Sequence, residues 1–284
     1  MRSALVIGGA GFIGSNLVRR LVRDGVRVVS VDNYSTGTPK NHVPGARYIE
    51  GDACHLGRVE IGLIPDVVFH LGEYSRVELS VGEPFRAIRG VCPTIVPVLE
   101  LCHLTGAKLV YSGSSTRFGD AESPYMLSKA LNVRTVIELG GYLGIPHAIT
   151  YFCNVYGPHE LAEGPFATVV PKFLQARQEG RTAVVNRPGT QRRNFTHVED
   201  VAEGLVMVAE RGQGDGYVMG GGDVYSIIGL AERIGVPWVF GDYVLGNRSE
   251  PSETSQKTLD LGWRPRRSLD EYIEQKIAHH ACEA

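Results

Sequence analysis

The chain reads Ala4-Leu-Val-Ile-Gly-Gly-Ala-Gly-Phe-Ile-Gly14 close to its start, with four apolar residues running into glycines at positions 8, 11 and 14. Apolar side chains at helical spacing follow as far as Asp24, and Gly25 stands where a helix commonly ends on glycine. The pattern predicts a buried strand, a tight turn and the beginning of a helix.

The three glycines of this turn have different expected uses. Gly8 lets the chain reverse after the strand, Gly11 lets the backbone approach a pyrophosphate, and Gly14 lets the helix pack closely on the sheet. Unpaired N–H groups at the start of the helix, at Phe12 and Ile13, add affinity for an anion. The turn therefore predicts a dinucleotide site formed by these five residues.

A second predicted strand, Arg27 to Val31, ends at Asp32, 24 residues after Gly8. A carboxylate at this position accepts hydrogen bonds from both hydroxyls of an adenosine ribose and repels a 2′-phosphate. The expected cofactor is therefore NAD rather than NADP. A glycine-rich turn alone is weak evidence in a chain with 35 glycines; the flanking strand, the helix and Asp32 together favour the dinucleotide interpretation.

Composition indicates a globular protein, since 43% of the 284 residues are hydrophobic and 21% are charged. The net charge of −2 offers no basic surface for nucleic acid. Glycines break the N-terminal apolar run, so we expect neither a signal peptide nor a membrane span. The five cysteines are scattered and form no Cys-x-x-Cys pair, which is typical of reduced thiols and predicts a cytoplasmic protein.

The C-terminal segment holds His279, His280 and Cys282, three residues of types that bind metals. They stand near a chain end with no fourth ligand nearby in the sequence. We therefore expect no metal site.

Four further strands are predicted at residues 46–49, 66–71, 108–112 and 147–152. Asp52 follows the third strand, where it is placed to meet the adenine edge of a dinucleotide. Helices are expected over 85–103, interrupted around Pro93 and Pro97, and over 124–143.

Strand and helix thus alternate six times, which predicts an α/β fold with a Rossmann-type doubly wound parallel sheet. Glycine- and proline-rich turns after Asn154 predict a smaller C-terminal substrate-binding lobe. We assign residues 1–157 and 194–214 to the NAD-binding domain and residues 158–193 and 215–284 to the substrate lobe.

Candidate catalytic residues follow the fifth strand, at the edge where this type of sheet places its active site. Ser114 stands there, and Tyr125 and Lys129 lie four residues apart on the next helix, so they share one face. A phenol with a pKa of about 10 needs roughly 4 kcal/mol of preferential phenolate stabilisation to act as a base near pH 7. We expect Lys129 and the nicotinamide ring of NAD⁺ to supply it.

The tyrosine–lysine spacing decides little by itself, because a second copy, Tyr272 and Lys276, occurs near the C-terminus. No serine-bearing strand end precedes that copy. We interpret it as structural and Tyr125 with Lys129 as catalytic.

The chain resembles the extended short-chain dehydrogenases/reductases of the nucleotide-sugar epimerase/dehydratase family, almost from end to end. The matching motifs are Gly8 to Gly14, Asp32-Asn33, Gly51-Asp52, Phe69-His-Leu71, the Ser114 cluster, Tyr125-Met-Leu-Ser-Lys129, Asn154-Val-Tyr-Gly-Pro158, the run from Gln191 to Asp200, Arg248-Ser-Glu250 and Leu261-Gly-Trp263.

This resemblance implies roles for individual residues. Ser114, Tyr125 and Lys129 match the catalytic set, and Tyr125 and Lys129 also contact the cofactor together with Asn33 and Leu71. The resemblance further implies that Ser114, Ser115 and Thr116 contact the sugar, and that Asn154, Arg193 and Arg248 bind the substrate phosphates. It also implies a homodimer that associates through the helices at 85–103 and 124–143.

Some positions depart from the family pattern. Leu71-Gly-Glu73 replaces the usual Leu-Ala-Ala and places Glu73 near the nicotinamide, either as a solvated loop residue or as a specificity contact. Whether Glu73 or Arg76 contacts substrate stays open. Ile7 replaces the usual Thr, the Asn expected near Gly90 is missing, and the loop from Ser114 to Tyr125 is short.

The expected function is an NAD-dependent nucleotide-sugar epimerase similar to UDP-glucose 4-epimerase. An alternative is a 4,6-dehydratase or a related decarboxylase. Those enzymes usually carry an acidic residue just after the catalytic serine or threonine, whereas this chain has Ser115, Thr116 and Arg117. A non-enzymatic alternative is an NAD-sensing regulatory domain, which an intact Ser-Tyr-Lys set disfavours.

Overall fold

The computed structural model describes residues 1–115, 123–243 and 251–283. Its strands are β1 (Ser3–Ile7), β2 (Arg27–Asp32), β3 (Arg47–Glu50), β4 (Val67–His70), β5 (Lys108–Ser112), β6 (His147–Phe152), β7 (Val155–Tyr156), β8 (Ala183–Arg187), β9 (Arg192–His197), β10 (Gly214–Met219), β11 (Asp223–Ser226) and β12 (Trp238–Tyr243). The α-helices are α1 (Phe12–Arg23), α2 (Val77–Gly82), α3 (Pro84–Arg89), α4 (Ile95–Thr105), α5 (Pro124–Tyr142), α6 (Val169–Gln178), α7 (Val198–Arg211), α8 (Ile227–Ile234), α9 (Gln256–Asp260) and α10 (Leu269–Glu283).

Seven parallel strands form the central sheet, in the order β10-β6-β5-β4-β1-β2-β3. β1 pairs with β2 on one side and β4 on the other, so the strand order reverses beside β1. Apolar side chains alternate between two buried clusters, with Leu5 and Ile7 on one face of β1 and Ala4 and Val6 on the other. The Rossmann-type fold predicted from the sequence is confirmed, and its reversal point is where such sheets bind ligands.

The seventh strand, β10, differs from the sequence prediction, which placed residues 215–284 in the substrate lobe. β10 pairs with β6, and its register slips between Gly214 and Tyr217. The sequence of this strand does not show a strand pattern, because it contains or follows glycines at 212, 214 and 216 and glycine is a poor strand former. The central sheet therefore includes β10.

The helix expected over residues 85–103 is divided. α3 ends before Gly90, a 3-10 turn covers Cys92–Thr94, and α4 begins at Ile95. Pro93 lies in the turn, whereas Pro97 lies in the first turn of α4, where the missing N–H breaks no helical hydrogen bond.

One described segment, Pro84–Thr105, is long and apolar enough to cross a membrane by length and composition, and 39% of an 18-residue stretch within it is buried. Core helices of soluble proteins meet the same criterion. The expectation that the protein has no membrane partner stays a prediction.

The smaller lobe contains two short sheets, β11-β9-β7 and β12-β8, which are covered by α6, α8 and α10. Its core includes Phe173, Phe195, Leu230 and Ile273. The indole of Trp263 is buried against α7 and donates a hydrogen bond of 2.8 Å to the carbonyl of Asp200. This contact ties the C-terminal segment to α7, which packs on the central sheet.

Candidate active site

The backbone of the turn between β1 and α1 packs closely against other backbone atoms. Gly8 has a φ of +85°, and a Cβ there would lie 2.6 Å from the Cα of Gly72. A Cβ on Gly14 would lie 2.0 Å from the carbonyl oxygen of Gly8. Gly11 caps α1 without a side chain, so the first N–H groups of the helix have no side-chain partner at the cap. The turn can therefore receive a pyrophosphate in close contact with the backbone.

Asp32 ends β2 beside this turn and is buried. Its Oδ2 accepts a hydrogen bond from the Ala10 amide at 2.9 Å, and its Oδ1 accepts one from the Tyr34 amide at 2.8 Å. The carboxylate is thus held by backbone groups, and each oxygen keeps a second lone pair for a ribose hydroxyl.

Asp52 and Asn33 contact each other next to Asp32. Asn33 Nδ2 donates to Asp52 Oδ2 at 2.8 Å, and the Cys54 amide donates to Oδ1 at 2.8 Å. Burial acts to raise the pKa of Asp52, but these hydrogen bonds outweigh it and hold the pKa below its ordinary value. Asp52 is an ionised acceptor at the expected adenine end.

A cavity of about 700 Å³ runs along the carboxyl ends of the strands. It brings together the predicted residues that the structure describes: Gly8, Gly11, Phe12, Ile13, Gly14, Asp32, Asn33, Asp52, Leu71, Ser114, Ser115, Tyr125, Lys129, Asn154 and Arg193. Thr116 and Arg248 lie outside the described residues, so their predicted contacts stay predictions.

The candidate catalytic residues lie at one end of β5. Ser123 caps α5 by accepting a hydrogen bond from the Met126 amide at 3.2 Å, which fixes the start of the helix that carries Tyr125 and Lys129. Ser114, Tyr125 and Lys129 are all buried at the cavity wall. Lys129 Nζ donates to the carbonyl of Ser112, the last residue of β5, at 2.8 Å.

Glu73 is the partner of this lysine. Its side chain is only 2% exposed, and its Oε2 lies 2.6 Å from Lys129 Nζ. Glu73 is therefore not a solvated loop residue, which was one of the two interpretations left open by the sequence. Burial acts to raise its pKa, but the nearby Lys129 and His70 hold that pKa far below the ordinary value.

Sequence reasoning missed Asn132, which donates to Glu73 Oε1 and to the carbonyl of Val91, both at 2.9 Å. Asn132 stands seven residues after Tyr125 and three after Lys129, so helical spacing already places the three on one face. That polar stripe within α5 was the available signal.

Asn154 and Arg193 line the substrate side of the cavity. Asn154 has a φ of +39° and donates from Nδ2 to the carbonyl of Asn194 at 2.9 Å. Arg193 is 8% exposed, and its Nη1 donates to the carbonyl of Arg192 at 2.8 Å. A buried guanidinium in a cavity wall is suited to an anionic group of a substrate.

Two further charged residues in the cavity wall were not assigned from the sequence. Arg76 donates to the carbonyl of Phe166, and burial lowers its pKa from the ordinary value. Glu160 accepts hydrogen bonds from Thr168 Oγ1 and, at 3.2 Å, from the Gly157 amide. Burial raises the pKa of Glu160 to about 8, so this carboxyl carries a proton near neutral pH.

A family model described as the NAD dependent epimerase/dehydratase family matches residues 4–220. The chain belongs to this family. It is an enzyme of the extended short-chain dehydrogenase/reductase type, and its cofactor is NAD.

The chain is 30% identical to a dTDP-D-glucose 4,6-dehydratase from Mus musculus over 97% of this chain and 88% of the relative. Among solved structures, UDP-glucose 4-epimerase from Thermotoga maritima with UDP-glucose superposes with a TM-score of 0.90 at 25% identity over 99% of each chain. UDP-glucose 4-epimerase from Thermus thermophilus in complex with NAD gives a TM-score of 0.89 at 25% identity, over 98% of this chain and 99% of the other.

The residues present fit NAD. A Cβ at Gly8 or Gly14 would collide with neighbouring backbone, Gly11 leaves the helix start open, and Asp32 offers two fixed oxygens for a ribose. Among side chains that the structure describes, no group of three or more His, Cys, Asp or Glu could hold a metal ion.

Proposed function

We propose that this protein is an NAD-dependent nucleotide-sugar epimerase that inverts a sugar carbinol through a transient keto intermediate, as in UDP-glucose 4-epimerase. The observation that carries the proposal is that one cavity joins the dinucleotide turn to Ser114, Tyr125 and Lys129. The relatives described above include enzymes that act on nucleotide sugars, which supports this substrate class.

Tyr125 acts as the acid–base group in this proposal. Its phenolate takes the proton from a sugar hydroxyl, and Ser114 donates a hydrogen bond to the same oxygen. When bound, NAD would supply the hydride acceptor for that carbon and the hydride donor for its later reduction. After the keto-sugar has turned over in the cavity, Tyr125 returns the proton to the oxygen on the inverted carbon. Lys129 contributes a positive charge that stabilises the phenolate.

Arg193 and Asn154 hold the diphosphate of the substrate in this proposal. Both lie in the cavity wall on the side of the smaller lobe, and Arg193 presents a buried guanidinium there. Arg248 completes the set implied by the family resemblance.

A 4,6-dehydratase is the second candidate, and the carboxyl group of Glu160 in the cavity wall favours it. Elimination of water needs an acid beside the sugar, and Glu160 offers a protonated carboxyl within the cavity. Against this candidate, Ser115, Thr116 and Arg117 supply no carboxylate directly after Ser114. We therefore favour epimerisation.

Turnover in D2O separates the two reactions. A panel of nucleotide sugars is incubated with the holoenzyme in D2O, and the products are analysed by NMR and mass spectrometry. Epimerisation that returns the same hydrogen to the same carbon gives a product of unchanged mass without carbon-bound deuterium.

Two other results would contradict simple epimerisation. A product lighter by one water and deuterated beside the carbonyl identifies a dehydratase. Deuterium without loss of water identifies inversion beside the ketone through an enol. The Tyr125→Phe holoenzyme is the control, because all three reactions need the first oxidation.

We also propose a homodimer that associates through α4 and α5. Large apolar side chains are exposed on both helices, including Val96 and Leu104 on α4 and Leu127, Leu131 and Tyr142 on α5. Burying such residues against a second copy removes apolar surface from water. Light scattering of the wild type and of a Leu127→Glu/Leu131→Glu variant tests this proposal. We expect a dimer for the wild type and a monomer for the variant. A monomeric wild type at micromolar concentration contradicts the proposal.

A further inference from the structure

The carboxylate of Glu73 is surrounded by donors from four elements. Its Oε2 lies 2.6 Å from Lys129 Nζ on α5 and 2.9 Å from the Tyr111 hydroxyl on β5. Its Oε1 lies 2.7 Å from Thr94 Oγ1 in the 3-10 turn, 2.9 Å from Asn132 Nδ2 and 3.2 Å from His70 Nε2 on β4. Burying a carboxylate is costly without such partners, and these contacts offset that cost.

Lys129 is fixed by the same contact. Of its three N–H donors, one is directed at Glu73 Oε2 and one at the carbonyl of Ser112. Tyr125 lies close enough to interact electrostatically with the Lys129 ammonium, and both residues line the same cavity. Among the described residues, the structure gives Lys129 no carboxylate other than Glu73 within 4 Å.

We propose that Glu73 is a positioning residue for the acid–base step: it keeps Lys129 charged as an ammonium and holds its Nζ beside Tyr125. The inference rests on the proposed function for the role of Tyr125. The charge of Lys129 can nevertheless be measured without any substrate.

The physical reason is the burial of the ammonium. Burial alone acts to lower the pKa of Lys129, and the Glu73 carboxylate outweighs it and raises that pKa above the ordinary value. A buried lysine without an anionic partner loses its proton far more readily, with pKa values of about 5–6 known in proteins. Without Glu73, the lysine would become neutral and could no longer stabilise a phenolate.

Other titratable groups face this pair, and they do not replace Glu73. Tyr111 is a neutral donor, since burial raises its pKa well above the ordinary value. Burial raises the pKa of the Cys54 thiol to about 11 and also raises that of Cys92, so both stay uncharged. His70 and Tyr125 complete the set. Tyr111, Cys54 and Cys92 therefore place no negative charge on Lys129 at neutral pH, and Glu73 is the carboxylate in contact with it.

The test is the titration of Lys129 in protein labelled with ¹³C and ¹⁵N on lysine. The chain has six lysines, and Lys129→Arg identifies the signal by its loss. In the wild type we expect a midpoint above the value of about 10.4 for an ordinary lysine. In Glu73→Gln, which keeps the size of the side chain but removes its charge, we expect the midpoint to fall below about pH 7, a shift of roughly 4 pH units.

Kinetics give the second readout. In Glu73→Gln holoenzyme we expect kcat at pH 7 to fall by about tenfold or more, with the acid limb of the kcat profile moved to higher pH. A merely structural role would lower kcat equally at all pH values.

Thr94→Val is the matched control for the titration, because it removes a neutral contact to the same carboxylate and should leave the Lys129 midpoint unchanged.

An unchanged Lys129 midpoint in Glu73→Gln would overturn the proposal. A wild-type midpoint below that of an ordinary lysine would also overturn it, and this measurement remains decisive if the variant does not fold. The D2O experiment decides the reaction type separately. If the protein proves to be a dehydratase, the epimerase proposal is wrong. The Lys129 titration still decides the role of Glu73.

Discussion

Helices α5 and α10 each carry a tyrosine followed four residues later by a lysine, and the two pairs have opposite surroundings. Tyr125 and Lys129 lie at the carboxyl ends of the central strands and line the cavity. Tyr272 lies in the smaller lobe, with its ring 5.3 Å from the ring of Tyr156 and 5.8 Å from that of His197. Its lysine, Lys276, places Nζ 5.5 Å from the centre of the Tyr272 ring.

The comparison shows that the four-residue spacing fixes proximity but not chemistry. Lys276 stacks on the face of its own tyrosine in a cation–π contact. Lys129 is instead held by Glu73 and the carbonyl of Ser112. Burial raises the pKa of Tyr272, which makes that phenol a still poorer base. What separates the two pairs is the strand end beside Tyr125 and the buried carboxylate that contacts Lys129.

The largest expected effect comes from the two tyrosines. Tyr125→Phe should lower kcat by on the order of a hundredfold or more, because it removes the acid–base hydroxyl. Tyr272→Phe should leave kcat unchanged. Steady-state kinetics with the nucleotide sugar identified by the panel, together with NAD binding measured by fluorescence, check both variants.

Thermal unfolding should rank variants of Tyr125 and Tyr272 in the opposite order to kcat. Tyr272→Ala removes ring contacts within the lobe core and should lower Tm, whereas Tyr125→Phe should leave Tm nearly unchanged. If Tyr272→Phe were the inactive variant, the assignment of the two copies would be wrong.

A smaller effect is expected for the lysines. Lys129→Met should lower kcat about tenfold or more at pH 7, and the loss should shrink as the pH rises, because a phenolate then forms without a neighbouring charge. Lys276→Met should behave as the wild type at every pH. The pH profile of kcat for the three proteins measures this.

A loss of equal size at all pH values in Lys129→Met would contradict the electrostatic role. It would indicate that Lys129 only binds cofactor, which a matching loss of NAD affinity would confirm. Lys276→Met is the control for a lysine next to a tyrosine outside the cavity.

Most of the central fold could be predicted because its signals are local. The glycine turn, Asp32 and the apolar strands are short patterns with direct structural meaning, and strands β5 and β6 have the predicted bounds. β10 could not be predicted in the same way, because its pairing with β6 depends on residues about 66 positions apart in the chain and not on its glycine-rich sequence.

The site was predicted less completely than the fold, for a related reason. Residues that match a motif, such as Tyr125 and Asn154, can be found one at a time. The buried carboxylate of Glu73 is stabilised by donors from β5, α5 and the turn before α4. The raised pKa of Glu160 comes from its burial, beside the hydrogen-bond partners Gly157 and Thr168. These properties belong to the packing of several segments, which no single stretch of sequence contains.

The contact between Gly8 and Gly72 has a consequence for engineering this protein. The loop after β4 brings Arg76 into the cavity wall and is an obvious target for changing substrate choice. A Cβ at Gly72 would lie 2.9 Å from the Gly8 nitrogen, so any side chain there would displace the turn of the dinucleotide site. A mutant library that randomises this loop should keep Gly72 and Glu73 fixed. Otherwise most of its members will lose the cofactor or the charge on Lys129 before their substrate preference can be selected.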